Sequence, residues 1–357
     1  MKPRRIFLTL ALLVLTLAAV LVQAQDPAPS SAATSSLADS PARSQDLAQF
    51  EATLRSFLAR GVLPIIDVEH HWGGKKPVEE LLAKMDKNGV ALTWVGQNER
   101  VGSANALAMH AQYPGRLVPT IIHGDGPRWH GQDWTLIEEL RRDALSGRYF
   151  AMGEFEARHY VSSTNNRDVH LPLDSPYFES VFALAQESGL PFLVHHEAED
   201  ALLPEMERML AKYPGATVVW CHVGRNRKPG TWTTFPTPDG VRAFIARYPN
   251  LHFDLNQAKP GGKYEPTGQV DAVLYEKSGS VLGREDWTLS PAWKRLLEEH
   301  PDRFLIGTDV NTGRWDGYDR VVDTFRSLIL SALSRPAAEK IAWKNAWRLM
   351  GGGEWRD

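Results

Sequence analysis

The chain has 357 residues, of which 43% are apolar and 23% charged, and its formal net charge is -3. This profile is typical of a soluble globular protein that buries a large core. Because the chain has no excess of basic charge, we do not expect it to bind nucleic acid. The single cysteine, Cys221, excludes an intrachain disulfide framework.

The first 24 residues have the pattern of a secretory signal peptide. Basic residues precede an apolar run over residues 6–22, and Ala24 ends a small-residue cleavage site. An uncleaved membrane anchor is the alternative, because the run approaches the length that spans a bilayer. Residues 25–43 are mainly Ala, Ser, Pro and Asp and are predicted to form a flexible linker. We therefore expect a periplasmic or secreted protein, without a membrane segment after cleavage, whose folded domain covers residues 44–357.

Beyond the linker, eight short apolar runs alternate with amphipathic helical segments. Most runs are almost continuously hydrophobic, which is typical of strands buried on both faces of a parallel sheet. Eight such units predict an α/β fold, a distorted (β/α)8 TIM barrel. An open, doubly wound sheet is the alternative, but no glycine-rich phosphate turn follows the first run. The runs cover residues 63–68, 90–95, 117–122, 149–155, 191–194, 217–220, 251–255 and 304–307.

Helices are predicted between these runs, together with an extra helix ahead of the first one. Long connections are expected after the sixth and seventh runs, and loops of such length are usually functional or disordered. The predicted helices include residues 45–60, 78–88, 136–146, 177–188 and 204–212.

Polar residues end several of the predicted strands, and in a TIM barrel those ends form the catalytic face. The first run is followed by Glu69 and His71, which alternation places on one side together with Asp67. A ligand set of imidazoles and carboxylates suits zinc, and the presence of several carboxylates also allows manganese, iron or cobalt to bind. The sequence therefore predicts a site for one or two divalent metals. Its candidate ligands are Glu69, His71, Glu154, His195, His222 and Asp309.

Asp309 and His222 are also the candidate catalytic residues, with Asp309 as the general base that takes a proton from water. A structural hydrogen bond to a neighbouring histidine is the alternative role for Asp309. Glu154 is predicted to bind one metal or bridge two, and a salt bridge with Arg158 is its alternative.

The order and spacing of these motifs resemble the amidohydrolase superfamily, closest to its amidohydrolase-2 (decarboxylase-like) branch. The family's Asp-x-His-x-His corresponds to residues 67–71, and its later histidines correspond to His195 and His222. Its Gly-Ser-Asp corresponds to residues 307–309, and residues 341–349 look like the family's closing helix. The resemblance covers most of the chain after Leu63, and it implies a metal-dependent TIM-barrel enzyme.

Two positions qualify this resemblance. The pair Gly153-Glu154 is similar to the fourth strand of TatD-like members. Glu69 occupies the position of the family's first histidine, which changes the charge and softness of the predicted metal site. Alternatively, a bulge in the strand would let His70 bind the metal while Glu69 faces elsewhere.

The leading functional prediction is metal-dependent hydrolysis of an ester, amide, lactone or phosphoester bond in a small-molecule substrate. The amidohydrolase-2 branch also implies an alternative, non-oxidative decarboxylation on the same scaffold. A third alternative is a barrel that binds a ligand and has lost its chemistry at Glu69. The candidate substrate-binding residues, all at predicted strand ends or in the loops that follow, are Arg158, His123, Asn256 and Trp72.

Overall fold

The computed structural model describes residues 41–73, 76–161, 167–257, 259–281 and 284–356. The predicted signal peptide and the predicted linker up to residue 40 lie outside the described residues. Within the described ranges, no helix combines the length and the apolar character needed to cross a bilayer.

Eight parallel strands alternate with helices, in agreement with the eight apolar runs. Seven of these strands are buried at every residue, as expected when helices cover one side of a sheet and a barrel core fills the other. The strands are β1 (Ile65–Trp72), β2 (Val90–Gln97), β3 (Leu117–Pro119), β4 (Met152–His159), β5 (Phe192–His196), β6 (Val218–Trp220), β7 (Leu251–Asp254) and β8 (Phe304–Leu305).

Strands β1 to β3 pair in chain order, and strands β4 to β8 pair in chain order as a second group. Isolated parallel bridges join the two groups at both edges. Thr120 and Gly124 bridge to Ala151 and Phe155, next to β3 and β4. On the other side, residues 67 and 70 of β1 bridge to residues 306 and 310 beyond β8. The parallel ring is therefore complete, and the predicted TIM barrel is confirmed.

The helices cover the outside of the barrel, and the predicted extra helix is present as the first of them. It begins at Pro41, four residues earlier than expected, and Arg43 in its first turn donates hydrogen bonds to the carbonyl oxygens of Tyr149 and Met350. The α-helices are α1 (Pro41–Ala59), α2 (Val78–Asn88), α3 (Ser103–Gln112), α4 (Pro127–His130), α5 (Trp134–Ala144), α6 (Pro176–Ser188), α7 (Leu203–Lys212), α8 (Pro238–Arg247), α9 (Pro291–Glu299), α10 (Tyr318–Thr324), α11 (Arg335–Glu339) and α12 (Asn345–Trp347).

The last helices are joined by wider, π-helical turns, so that the C-terminal segment packs along the barrel as one irregular helical run. These turns cover Phe325–Ile329, Lys340–Lys344 and Arg348–Gly352. Trp343 and Trp347 in this run are buried, as expected for two residues four apart on one helix face.

The long connections after β6 and β7 have structure of their own. The connection after β6 begins with a tight turn at Cys221–Gly224. The connection after β7 contains the paired strands Lys263–Tyr264 and Gln269–Val270, followed by a hairpin of Tyr275–Val281 with Arg284–Leu289. A further short strand, Val169–His170, pairs antiparallel with the end of β4. The connection after β7 reaches the carboxyl ends of the strands, since Lys263, Tyr264 and Asp271 line the same cavity as the polar residues there.

Candidate metal centre

The carboxyl ends of the strands bring the six predicted ligands into one buried cluster. The cluster has two halves, which share the carboxylate of Glu154. Within each half, every residue offers a ligand atom, and these atoms all lie within 4.8 Å of one another. We call them the imidazole half (Glu154, His195 and His222) and the carboxylate half (Glu69, His71, Glu154 and Asp309).

The imidazole half is formed by β4, β5 and the turn after β6. His195 Nδ1 lies 3.0 Å from Glu154 Oε1 and 3.0 Å from His222 Nε2. His222 Nε2 also lies 3.3 Å from the same oxygen of Glu154. Two imidazole nitrogens and one carboxylate oxygen therefore face a single point, an arrangement suited to a borderline-soft divalent metal such as zinc.

The carboxylate half lies on the other side of Glu154. His71 Nε2 is 3.4 Å from Glu154 Oε2, 3.3 Å from Asp309 Oδ1 and 3.7 Å from Glu69 Oε1. The two oxygens of Glu154 thus face different halves of the cluster. A carboxylate placed in this way could bridge two metal ions, and the alternative salt bridge from Glu154 to Arg158 is absent from the described contacts.

Glu69 provides the test of whether the cluster suits a metal. Its side chain is 1% exposed, and neither of its carboxylate oxygens has a hydrogen-bond partner among the described residues. Burial, and then repulsion from nearby carboxylates, first among them Asp254, raises the pKa of Glu69 well above its ordinary value. A buried carboxylate without a hydrogen bond is costly unless a cation compensates its charge. The residues present therefore fit a divalent cation.

Two members of the cluster have backbone conformations that L-residues rarely adopt. His222 has φ 59° in the turn after β6, and Asp309 has φ 48° after β8. The N–H of His222 donates to Asp254 Oδ2 at 3.0 Å, and the N–H of Asp309 donates to the carbonyl of Glu69 at 2.8 Å. Such conformations cost about 1–3 kcal/mol each and concentrate at functional sites. Here they turn both side chains toward the cluster.

The predicted alternative for β1, a bulge, is present but leaves Glu69 in the cluster. The register between β1 and β2 shifts between Asp67 and His70. His70 nevertheless lies outside the cluster, buried beside Trp72 and Trp315, and burial lowers its pKa to about 3. Both Glu69 and His71 face the other predicted ligands.

Asp67 connects β1 to β8 instead of joining the cluster. Its two oxygens accept hydrogen bonds from the backbone N–H and the hydroxyl of Thr308, each at 2.8 Å. Its side chain is fully buried, and burial raises its pKa to about 7 in spite of these hydrogen bonds. Asp67 therefore holds the strand that delivers Asp309.

Glu197 and Arg227 form a second layer behind His195, and sequence reasoning did not single them out as site residues. Glu197 Oε1 lies 3.5 Å from His195 Nε2, the nitrogen that faces away from the cluster. Arg227 donates to Glu197 from Nε at 2.7 Å and from its backbone N–H at 3.0 Å. A carboxylate behind a ligating imidazole fixes its orientation and its tautomer. The two-residue spacing of His195 and Glu197 was the only signal in the sequence.

The charges of the cluster displace the pKa values of its histidines in opposite directions. Burial lowers the pKa of His195, but its contacts with Glu154 and Glu197 outweigh this effect and raise it to about 9. Burial and the positive charge of Arg225 lower the pKa of His222 to about 4. In this arrangement the imidazole of His222 is neutral at pH 7, which is the form that binds a metal.

Asp309 is held as an anion by its neighbours. Arg314 donates to both of its oxygens, with Nη1 at 2.6 Å from Oδ2. Burial would raise the pKa of Asp309, but Arg314 and the nearby histidines keep it well below its ordinary value. Arg314 was not foreseen, since it reaches Asp309 from the turn Thr312–Gly317.

The predicted substrate-binding residues have different surroundings. Asn256 lines the large cavity over the cluster, whose volume is about 860 Å³. His123 is buried and stacks on His71 with 4.0 Å between ring centroids. Arg158 is engaged by Glu199 and Asp168, and the buried ring of Trp72 packs against His70 and Trp315. Neither Arg158 nor Trp72 is among the residues that line this cavity.

Comparison with known proteins supports the fold and places the family. The chain is similar to 2,6-dihydroxybenzoate decarboxylase from Rhizobium, with 13% identity and a TM-score of 0.52, over 81% of this chain and 98% of that one. It is also similar to dihydroorotase from Campylobacter jejuni, with 12% identity and a TM-score of 0.50, over 82% of this chain and 85% of that one. At such identities the likeness shows the fold alone.

Among curated proteins, none matches this chain in sequence. Residues 66–352 match the family model described as amidohydrolase, in its amidohydrolase-2 form. That range extends from β1 to the last helical turn and contains all six candidate ligands. Because the match covers most of the chain, this protein belongs to the amidohydrolase family.

Proposed function

We propose that the protein is a metal-dependent hydrolase that cleaves an ester, amide, lactone or phosphoester bond in a small molecule. The observation that carries the proposal is the two-sided carboxylate of Glu154. One of its oxygens faces two histidines, and the other faces His71 in the carboxylate half. Two adjacent cation sites with one shared carboxylate suit hydrolysis, because they can hold water and the substrate oxygen side by side.

The proposed ligands are the six residues of the cluster, and zinc is the favoured metal because of the histidine share. Manganese, iron and cobalt remain compatible with the carboxylate half. A bound metal of this kind supplies Lewis acidity toward the substrate oxygen and lowers the pKa of water.

The protein's own groups would orient the reactants and move the proton. Asp309 stays ionised at neutral pH, so its carboxylate can accept a proton from the attacking water and return it to the leaving group. The ion pair with Arg314 weakens Asp309 as a base, so we expect this contact to loosen when the site is loaded. His222 is neutral at pH 7, and we propose that it acts as a metal ligand. It would lie on the side of the site where the substrate oxygen binds.

The proposal is tested by elemental analysis of the purified protein, followed by a screen of esters, lactones, amides and phosphoesters with and without chelator. We expect bound divalent metal, turnover of at least one class, loss of turnover on chelation and its return when zinc is added. Metal-free protein that hydrolyses a substrate at the same rate would contradict the metal's role.

A second candidate function is non-oxidative decarboxylation of an aromatic acid. The observation that favours keeping it is the fold shared with 2,6-dihydroxybenzoate decarboxylase. Release of carbon dioxide without net addition of water would establish this reaction instead of hydrolysis. Stoichiometric ligand binding by metal-loaded protein, with turnover of neither kind, would instead indicate a binding protein.

A further inference from the structure

Arg225 lines the cavity over the cluster, and its side chain makes no hydrogen bond with the described residues. Its side chain is 11% exposed and lines the cavity, and its Nε is buried without a hydrogen bond among the described residues. The nearest carboxylate oxygen, Asp271 Oδ1, lies 3.4 Å away in poor geometry and also lacks a hydrogen bond. A buried guanidinium N–H without an acceptor costs free energy unless another group accepts its hydrogen bond.

The other arginines of the inner cavity have carboxylate partners of good geometry. Arg227 donates to Glu197, and Arg314 donates to Asp309. Arg225 differs from both. Its backbone N–H donates to the carbonyl of His222 at 3.1 Å, so the turn after β6 fixes its distance from the imidazole half.

The guanidinium of Arg225 interacts electrostatically with charged residues in and around the cluster. The carboxylates of Asp271, Glu197 and Asp309 act on Arg225 electrostatically, and Arg225 in turn acts on His222. In the loaded protein, metal ions compensate the cluster carboxylates, and the positive charge of Arg225 then faces the cavity with less competition. A fixed, planar cation in that position is suited to a carboxylate, which it can bind through two parallel hydrogen bonds.

The outer rim of the cavity does not select the charge of the substrate. It carries the cations Lys259, Lys263 and Arg320, but also acidic residues, among them Glu265 and Asp316. Selection must therefore come from the inner wall.

We propose that Arg225 binds a carboxylate group of the substrate, separate from the bond that is cleaved, so that the natural substrate is a small anionic molecule. The proposal rests on the proposed function for the position of the reacting bond. In this proposal Asp271 does not bind the substrate, and it pairs with Arg225 only when no substrate is bound. The cavity of about 860 Å³ has room for a ring with two substituents.

The test uses two matched probes, isophthalate and 3-carbamoylbenzoate, with the zinc-loaded protein in isothermal titration calorimetry. Both probes have one carboxylate that can face the metal cluster, and they differ only in whether the second group is an anion or an amide. We expect the wild-type protein to bind isophthalate about tenfold or more tightly than 3-carbamoylbenzoate, as a charge-assisted contact implies. In Arg225→Gln the preference should disappear, and in Arg225→Lys it should fall, because lysine cannot form the paired contact.

The control is Asp271→Asn, which removes the ion pair but keeps the cation. If Arg225 binds the probe, Asp271→Asn keeps or increases the preference for isophthalate. If Arg225 only fastens the loop after β7, Asp271→Asn and Arg225→Gln reduce binding of both probes alike, and the proposal is wrong. Thermal unfolding of each variant separates loss of binding from loss of folding, and Arg225→Lys serves if Arg225→Gln does not fold.

Absence of a preference in the wild-type protein, or a preference unchanged in both Arg225 variants, would also overturn the proposal. Isophthalate contains no bond of the screened classes. The amide of 3-carbamoylbenzoate could be hydrolysed to isophthalate, so chromatography after each titration checks that this probe is intact and that binding is measured without turnover. If neutral substrates are turned over and isophthalate is not preferred, only the proposed carboxylate site at Arg225 is rejected. If isophthalate is preferred but no substrate is hydrolysed, the proposed function is rejected and the carboxylate site at Arg225 is retained.

Discussion

The two halves of the cluster differ in chemistry and in how the surrounding protein supports them. The imidazole half has two nitrogen donors, and Glu197 and Arg227 stand behind His195. The carboxylate half has one imidazole and three carboxylates, and Glu69 has no hydrogen-bonded support among the described residues. A supported, nitrogen-rich set of ligands holds zinc more tightly than an unsupported, oxygen-rich set.

This difference indicates an order of loading and a division of labour. We expect the imidazole half to bind the first metal and the carboxylate half to bind the second more weakly and with less preference for zinc. The carboxylate half also contains Asp309, the proposed base. The more exchangeable half would then be the one at which the proton moves.

The largest expected effect comes from Glu154, because both halves depend on it. Glu154→Ala removes an oxygen ligand from each half and should reduce bound metal from two ions to less than one per chain, with loss of turnover. Inductively coupled plasma mass spectrometry on dialysed protein measures this. Glu156→Gln is the matched control, since Glu156 is a buried carboxylate two residues along the same strand that contacts His130. Two bound metals in Glu154→Ala would reject the shared carboxylate.

The next effect separates proton transfer from metal binding within the carboxylate half. Asp309→Asn keeps the shape of the side chain and one oxygen but removes proton acceptance, so kcat should fall about 10²–10⁴-fold. Metal content should remain near that of the wild type, because the amide oxygen of Asn can still serve as the ligand at this position. Steady-state kinetics and elemental analysis on the same preparation test both points. Loss of activity only in proportion to lost metal would limit Asp309 to its role as a ligand and leave the base unidentified, and near-normal turnover would remove it from the mechanism.

Glu69 and His70 test whether the carboxylate half is built as the structure has it. Glu69→Ala should lose the second metal, and Glu69→His should retain a metal with a stronger preference for zinc over manganese. His70→Ala should leave metal binding intact and lower stability instead, because His70 packs among buried aromatic rings. Metal titrations on the three variants decide the matter. Metal loss in His70→Ala with normal binding in Glu69→Ala would reverse the assignment.

Much of the barrel was predictable, because the local sequence patterns that begin and end helices and strands match the pattern of buried residues in the fold. The helix Val78–Asn88 begins and ends where the sequence indicates, since Pro77 precedes it and Gly89 ends it in a left-handed conformation. The eight apolar runs became eight strands, although their ends moved. β1 continues to Trp72 and β4 to His159, past the apolar runs, because their polar residues are buried in the barrel mouth.

The six candidate ligands were predictable from their places at strand ends, and the structure brings them together. Their supporting residues were not. Arg227 lies thirty residues from Glu197, and Arg314 reaches Asp309 from a turn without periodicity, so no pattern along the chain connects them. Asp254 accepts a hydrogen bond from the backbone N–H of His222. In the sequence it is only a polar residue at the end of an apolar strand, as many turn residues are. Contacts across the barrel mouth depend on closure of the ring, which the sequence indicates only in outline.

The smallest of these effects concerns the support behind the imidazole half. Glu197→Gln keeps the size of the side chain and removes the negative charge that faces His195 Nε2 and pairs with Arg227. Loss of such a partner typically weakens metal binding about 10–100-fold, because the imidazole becomes less basic and less well oriented. A competition titration with a zinc chelator should therefore show the first, tight site weakened by that factor, while the second site changes little. Glu199→Gln is the control, because Glu199 pairs with Arg158 of β4 and contacts neither half of the cluster among the described residues. If Glu197→Gln weakens both sites equally, the two halves are not supported separately, and if it weakens neither, Glu197 serves only to hold Arg227 in the fold.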